Sequence, residues 1–340
     1  MKKYLIALLI LAPAFLGAQN LKGTYMVAQR DTCDLYIDVY LPTPEAPTEI
    51  DGKAKPSIIF AFGGGFIIGS RTDKYYQKWF KILNDDGYGV VAVDYRLGLK
   101  GKKMQFDLFH IVNSAKEVKK AVDMGVEDVF AAVRWLIDNP VGIDPYNLVI
   151  SGSSAGAMIT LSCIVETCSP TVRTAILPEG YAFKGAMSFA GAVMSDSGLP
   201  KYGTPPPPQL LIHGTKDGAV TYEKLAFFNL GYFGSSSLVR DVFSKHGYPY
   251  CIYRYVNHGH DMAGNMVATW LAAAAGVVLV ECFVHVLGYR LAVAQYVEAR
   301  FGLVVGTQQP PAQVAGGARG NNNESAVQLL HLAGWRHLCL

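Results

Sequence analysis

The stretch "ISGSSAGAMITLSC", residues 150–163, brings three serines close together: Ser151, Ser153 and Ser154. A serine hydroxyl is a poor nucleophile at neutral pH unless a base takes its proton and a third group orients that base. Only Ser154 has glycine both two residues before it, Gly152, and two residues after it, Gly156. That spacing suits a sharp strand-to-helix elbow, because bulk at either position would collide across the corner. A plain tight turn of small residues looks the same in isolation, so the companions of Ser154 decide between the two.

Those companions stand at the ends of apolar runs. "QLLIHG" leads into "TKDGAV" and places Asp217 at its end; "YCIYRYV" leads into "NHGHDM" and places His258 and His260 likewise. Asp217 before Gly218 also fits an ordinary turn, and Asp196, after the preceding apolar run, is an alternative acid. Of the two histidines, His260 is the expected base, since Gly259 lets the loop turn back over the sheet. His258, nearer the run's end, fits a packed histidine. Asp261 adjoins His260, but neighbouring side chains diverge, which leaves Asp217 as the expected orienting group. "FGGGF", residues 62–66, closes another apolar run. Glycines there let backbone amides approach a developing oxyanion, and no G-x-x-x-x-G-K-[ST] pattern makes the loop a phosphate cradle. An amide at the start of the helix after Ser154 is placed for the same task.

The elements that must hold these groups alternate. Two extended segments are expected within 24–40, and buried strands at "PSIIFAF", "YGVVAVDY", "NLVI", "GAMSFAG", "QLLIHG" and "YCIYRYV". Helices are expected near 75–84, over 122–138, where Val122, Val126, Val129, Val133 and Leu136 recur every three or four residues, and after Ser154. Apolar strands alternating with helices predict an α/β protein with a mostly parallel central sheet and helices on both faces. Functional groups in such sheets gather at the carboxyl ends of the strands.

The bulk properties set limits. The chain has 340 residues, 51% apolar and 17% charged, with a formal charge of +3. That composition fits a large globular core. "KGKK", residues 100–103, is too short a basic run to bind nucleic acid, and no nucleic-acid partner is expected. Residues 1–18, with Lys2, Lys3 and an apolar run from Leu5 to Leu16, read as a signal peptide for a secreted or periplasmic protein, without a stable membrane anchor. Six cysteines show no metal-ligand spacing, so no metal or other cofactor is expected; Cys163 falls on an apolar helix face and reads as a buried free thiol. Nineteen lysines occur up to Lys245 and none after it. Glu281 and His285 argue against a membrane span in the Ala- and Val-rich segment 266–287. The domain is expected over 19–287, followed by a low-complexity tail over 288–340 that is assigned no role.

Taken together, "FGGGF", "VVAVDYRLG", "GSSAG", "HGTKD" and "GHD" make the chain resemble the α/β-hydrolase superfamily, in its carboxylesterase and hormone-sensitive-lipase-like branch, from about Tyr25 to Asp261. The resemblance implies Ser154 as nucleophile, Asp217 as acid and His260 as base, with oxyanion amides from Gly64, Gly65 and Ala155. It implies hydrolysis of carboxylic esters through an acyl-enzyme, with acetyl or feruloyl esters of polysaccharides among the substrates considered. A peptidase or acyltransferase of the same fold, and a catalytically inactive binding module, are the alternatives. Phe62 stands where the family usually has histidine, a position that shapes the glycine loop.

Overall fold

The structure, a computed structural model, describes residues 20–269 except 105, 106, 108 and 109. The expected signal peptide, the end of the expected domain and the tail lie outside the described residues.

Thirteen strands are described, β1 (Leu21–Gln29), β2 (Asp34–Tyr40), β3 (Glu49–Ile50), β4 (Lys53–Ala54), β5 (Ser57–Ala61), β6 (Val90–Val93), β7 (Leu148–Ser153), β8 (Gly185–Phe189), β9 (Ala192–Ser195), β10 (Gln209–Gly214), β11 (Lys224–Phe227), β12 (Leu230–Gly234) and β13 (Tyr250–Tyr255). Eight form the central sheet in the order β1-β2-β6-β5-β7-β8-β10-β13. β2 runs antiparallel to both β1 and β6; every pairing from β6 to β13 is parallel. The sheet is therefore mostly parallel, as the continuous apolar runs predict.

Crossover geometry distributes the helices. α1 (Lys74–Asp85) joins β5 to β6 and moves one way along the sheet, whereas α2 (Ile111–Asp138) and α3 (Ala155–Cys168) join β6 to β7 and β7 to β8 and move the other way. Because parallel crossovers are right-handed, α1 covers one face and α2 and α3 cover the other. On the first face the Phe60 ring meets those of Tyr76, Trp79 and Phe80, with centroids 4.8, 5.4 and 5.3 Å apart. Each fully buried side chain of this size contributes roughly 1.5–3 kcal/mol. On the second face α2 and α3 approach closely: a Cβ on Gly125 would overlap the Ile159 side chain.

Three features differ from the expectation, the first being a small two-stranded sheet, β3-β4, that no apolar run announces. α2 begins at Ile111, eleven residues before the expected start at Val122. Its first turns carry Lys116, Glu117, Lys119 and Lys120, so the apolar stripe there is too sparse to register as a helix. A further, three-stranded sheet, β11-β12-β9, stands apart from the central one. Its hairpin turns on Phe228 at φ +53, a left-handed position with no glycine to announce it.

Candidate active site

Four strands deliver the site from one edge. β5 ends at the glycine loop, β7 at Ser154, β10 at Asp217 and β13 at the His260 loop; their parallel register brings all four carboxyl ends together. Ser154 lies between β7 and α3 at φ +51, ψ −116, a conformation that side-chain-bearing residues rarely adopt. Its amide donates to Phe189 O at 2.9 Å, which fixes the corner against β8. A Cβ on Gly152 would overlap the Gly156 backbone, and a Cβ on Gly156 would overlap the carbonyl of Ala61. Both glycines are thus required by the turn, as the spacing predicts.

Ser154 Oγ lies 2.7 Å from His260 Nε2. His260 Nδ1 lies 2.8 Å from Asp217 Oδ2. Asp217 Oδ1 accepts from the amides of Ala219 and Val220, both at 2.9 Å. Burial pushes the Asp217 pKa up, but hydrogen bonds from His213, His260 and the Val220 amide outweigh burial and hold the carboxyl well below the usual carboxylate range. Asp217 is therefore ionised at neutral pH and able to hold His260 as a proton acceptor for Ser154.

The competing residues lie elsewhere. His258 Nδ1 pairs with Asp261 Oδ2 at 2.8 Å, beside the ring of Tyr255, so both groups are engaged with each other. Asp196 is exposed and meets only Ser197 among the described side chains. Ser153 Oγ donates to Ala263 O at 2.7 Å, tying the elbow to the short 3-10 helix His260–Gly264. Ser151 is wholly buried in β7. Gly259 has φ −98 and ψ −140, outside the β and α regions that side-chain-bearing residues favour, although a Cβ there would meet nothing closer than 3.8 Å. Gly214 matters as well, because a Cβ there would overlap the carbonyls of His258 and Gly259 as their loop crosses the end of β10.

Gly64 and Gly65 adopt φ +134 and +62, and among the described residues neither amide donates to any acceptor. The Ala155 amide, first in α3, stands at the positive end of a helix of 14 residues. Two tyrosines, not singled out in the sequence, hold the glycine loop. Tyr76 Oη accepts from the Gly63 amide at 3.0 Å, and Tyr95 donates to Phe62 O at 2.8 Å. Phe62 stacks on the Tyr95 ring at 4.3 Å, filling the position where the resemblance leads one to expect histidine.

Among the described residues no cluster of three or more His, Cys, Asp or Glu side chains could hold a metal ion, and no helix is long and apolar enough to cross a membrane. Cys163 is a buried free thiol whose pKa burial pushes far up.

Known proteins resemble this chain in part. Carboxylesterase 3B of Mus musculus is 30% identical over 169 residues, 46% of this chain and 27% of its own length. Fumonisin B1 esterase of Sphingopyxis macrogoltabida is 31% identical over 151 residues, 43% of this chain and 25% of its own length. The chain thus spans about a quarter of the length of these curated relatives. The apo form of Thermogutta terrifontis esterase 2 superposes with a TM-score of 0.54 at 21% identity, covering 80% of this chain and 97% of that one. The fold is the α/β-hydrolase fold. Residues 16–192, just over half of the chain, match the sequence model of the carboxylesterase family, and the chain belongs to that family.

Proposed function

We propose that the protein hydrolyses carboxylic esters through an acyl-enzyme. The observation that carries this reading is the unbroken chain from Ser154 Oγ to His260 Nε2 at 2.7 Å and from His260 Nδ1 to Asp217 Oδ2 at 2.8 Å. In this reading His260 takes the Ser154 proton as Oγ attacks the acyl carbon, and the imidazolium that forms is stabilised by Asp217. The carbonyl oxygen, now negative, faces the amides of Gly64, Gly65 and Ala155. His260 then returns its proton to the departing alcohol oxygen, leaving the acyl group on Ser154. Water attacks that acyl-enzyme with His260 again as base, releasing the acid. Each step uses only groups of this chain and solvent.

The reading extends to an exported protein, supported by the charged and apolar pattern of residues 1–18, and to acetyl or feruloyl groups on polysaccharides. The test is turnover of p-nitrophenyl esters from acetate to octanoate, with a feruloyl ester beside them, combined with fluorophosphonate labelling mapped by mass spectrometry. Ester turnover with the label on Ser154 is expected. No turnover and no label would make the chain a binding module, and turnover of peptides alone would make it a peptidase.

A further inference from the structure

His213, the penultimate residue of β10, is wholly buried and has no part in the steps above. Its Nε2 faces two groups that only accept: Val220 O at 3.0 Å and Asp217 Oδ2 at 3.3 Å. Nε2 must therefore carry a proton. Its Nδ1 lies 2.8 Å from the hydroxyl of Ser235, also wholly buried, for which no other acceptor is present among the described residues. The hydroxyl donates to Nδ1 and fixes the neutral Nε2–H tautomer. Asp217 Oδ2 thus sits between two imidazoles, His260 on the side of Ser154 and His213 on the side of the core.

We propose that His213 is a positioning residue for the acid, a neutral donor locked in one tautomer by Ser235 that aims Asp217 at His260 and draws charge from their shared oxygen. The inference rests on the reading of Asp217 as the orienting acid. Geometry sets its sign. Without the donor, Oδ2 carries more negative charge toward His260 and stabilises the imidazolium more strongly. Among the described residues, the titratable groups near this chain of contacts include the Tyr75 hydroxyl, which lies against Gly264 of the short helix that carries His260. Tyr222 packs edge-on to His213 at 5.5 Å, His258 and Asp261 are paired with each other, and Lys216 is exposed beside Asp217. None of them replaces the lost donor.

The experiment compares His213→Leu, His213→Gln and Ser235→Ala with the unsubstituted protein. It uses two readouts: the low-field NMR resonance of the His260 Nδ1 proton as a function of pH, and the pH profile of kcat and KM for the best ester. His213→Leu is expected to move the His260 midpoint up by about half a unit to one unit, the equivalent of one modest hydrogen bond. It should lower kcat roughly 10-fold through misaimed geometry, with KM within twofold. His213→Gln, whose amide N–H reaches the same acceptors, should restore most of both. Ser235→Ala should shift the midpoint in the same direction by less, and it decides the matter if His213→Leu does not fold. A His260 midpoint unchanged in the folded variants, or a loss of kcat that glutamine does not rescue, overturns the proposal. The NMR titration needs no turnover. A shifted midpoint in a protein that cleaves no ester would sink the hydrolase reading and leave the role of His213 standing.

Discussion

At the scale of single residues, the three serines of one short segment have three different occupations. Ser154 faces His260, Ser153 is spent on Ala263 O, and Ser151 is enclosed in the sheet. Ser154→Ala is expected to abolish ester hydrolysis and fluorophosphonate labelling. Ser153→Ala should lose one buried hydrogen bond, about 1 kcal/mol, and keep the label on Ser154; a label found on residue 153 would refute the assignment. The histidines divide in the same way. His260→Ala should reduce kcat about as much as Ser154→Ala, and the double variant should be scarcely worse than either, because the two act as a unit. His258→Ala should lose only its exposed pairing with Asp261, a contact worth little on a surface. Steady-state kinetics on the four variants checks both statements. These residues were readable in advance because glycine spacing and position after an apolar run are local signals. Tyr76, Tyr95 and His213 were not, since each acts through a contact that only the assembled sheet creates.

Single elements show where local signals fail. The strands of the central sheet and α1 follow their sequence patterns, whereas the polar first turns of α2 and the Phe228 hairpin carry none. The glycine loop illustrates the same limit in its energetics. Its three consecutive glycines look equivalent, yet a Cβ on Gly64 would overlap the Ile68 carbonyl and one on Gly65 would meet nothing within 4 Å. Gly64→Ala must therefore rebuild the loop, and a fall in kcat of about 10²-fold or more is expected, the scale for losing an oxyanion contact. Gly65→Ala keeps its amide and bears only the cost of a left-handed residue, roughly 1–2 kcal/mol of stability, so kcat should change by a few-fold at most. Equal losses in the two variants would mean that the loop serves as a flexible lid and not as a fixed donor frame. Tyr76→Phe offers a gentler probe, removing the acceptor of the Gly63 amide while leaving ring packing against Phe60 in place.

Across the described part of the molecule, the antiparallel edge is thinly packed. β1 is exposed or half-buried along its length, so little apolar area holds it to the body. What reaches across is Asp128, a carboxylate with no exposure inside α2. It accepts from Arg30 Nε, just past β1, at 3.1 Å, and from Arg96 Nε and the Arg96 amide, just past β6, at 2.9 and 2.8 Å. No periodicity could announce this bridge, since its partners stand 98 and 32 residues away in sequence. Replacing such a group by an apolar pair can be neutral, but removing one partner strands the others. Arg96 keeps 13% of its side chain exposed and Arg30 29%, so Arg30 can turn to water more readily. Asp128→Ala should therefore lower stability by about 3–5 kcal/mol, the scale for breaking a buried ion pair. Arg96→Ala should fall short of that loss, because Asp128 would keep the backbone amide of residue 96 and its more exposed partner Arg30. Arg30→Ala should cost least, and Asp128→Asn, which still accepts, should fall between Arg30→Ala and Asp128→Ala. Urea midpoints at constant slope measure the series. A loss below about 1 kcal/mol for Asp128→Ala would place the bridge among ion pairs of no consequence, and the edge would then be held by the β1–β2 hydrogen bonds and the packing of Tyr25 and Val27.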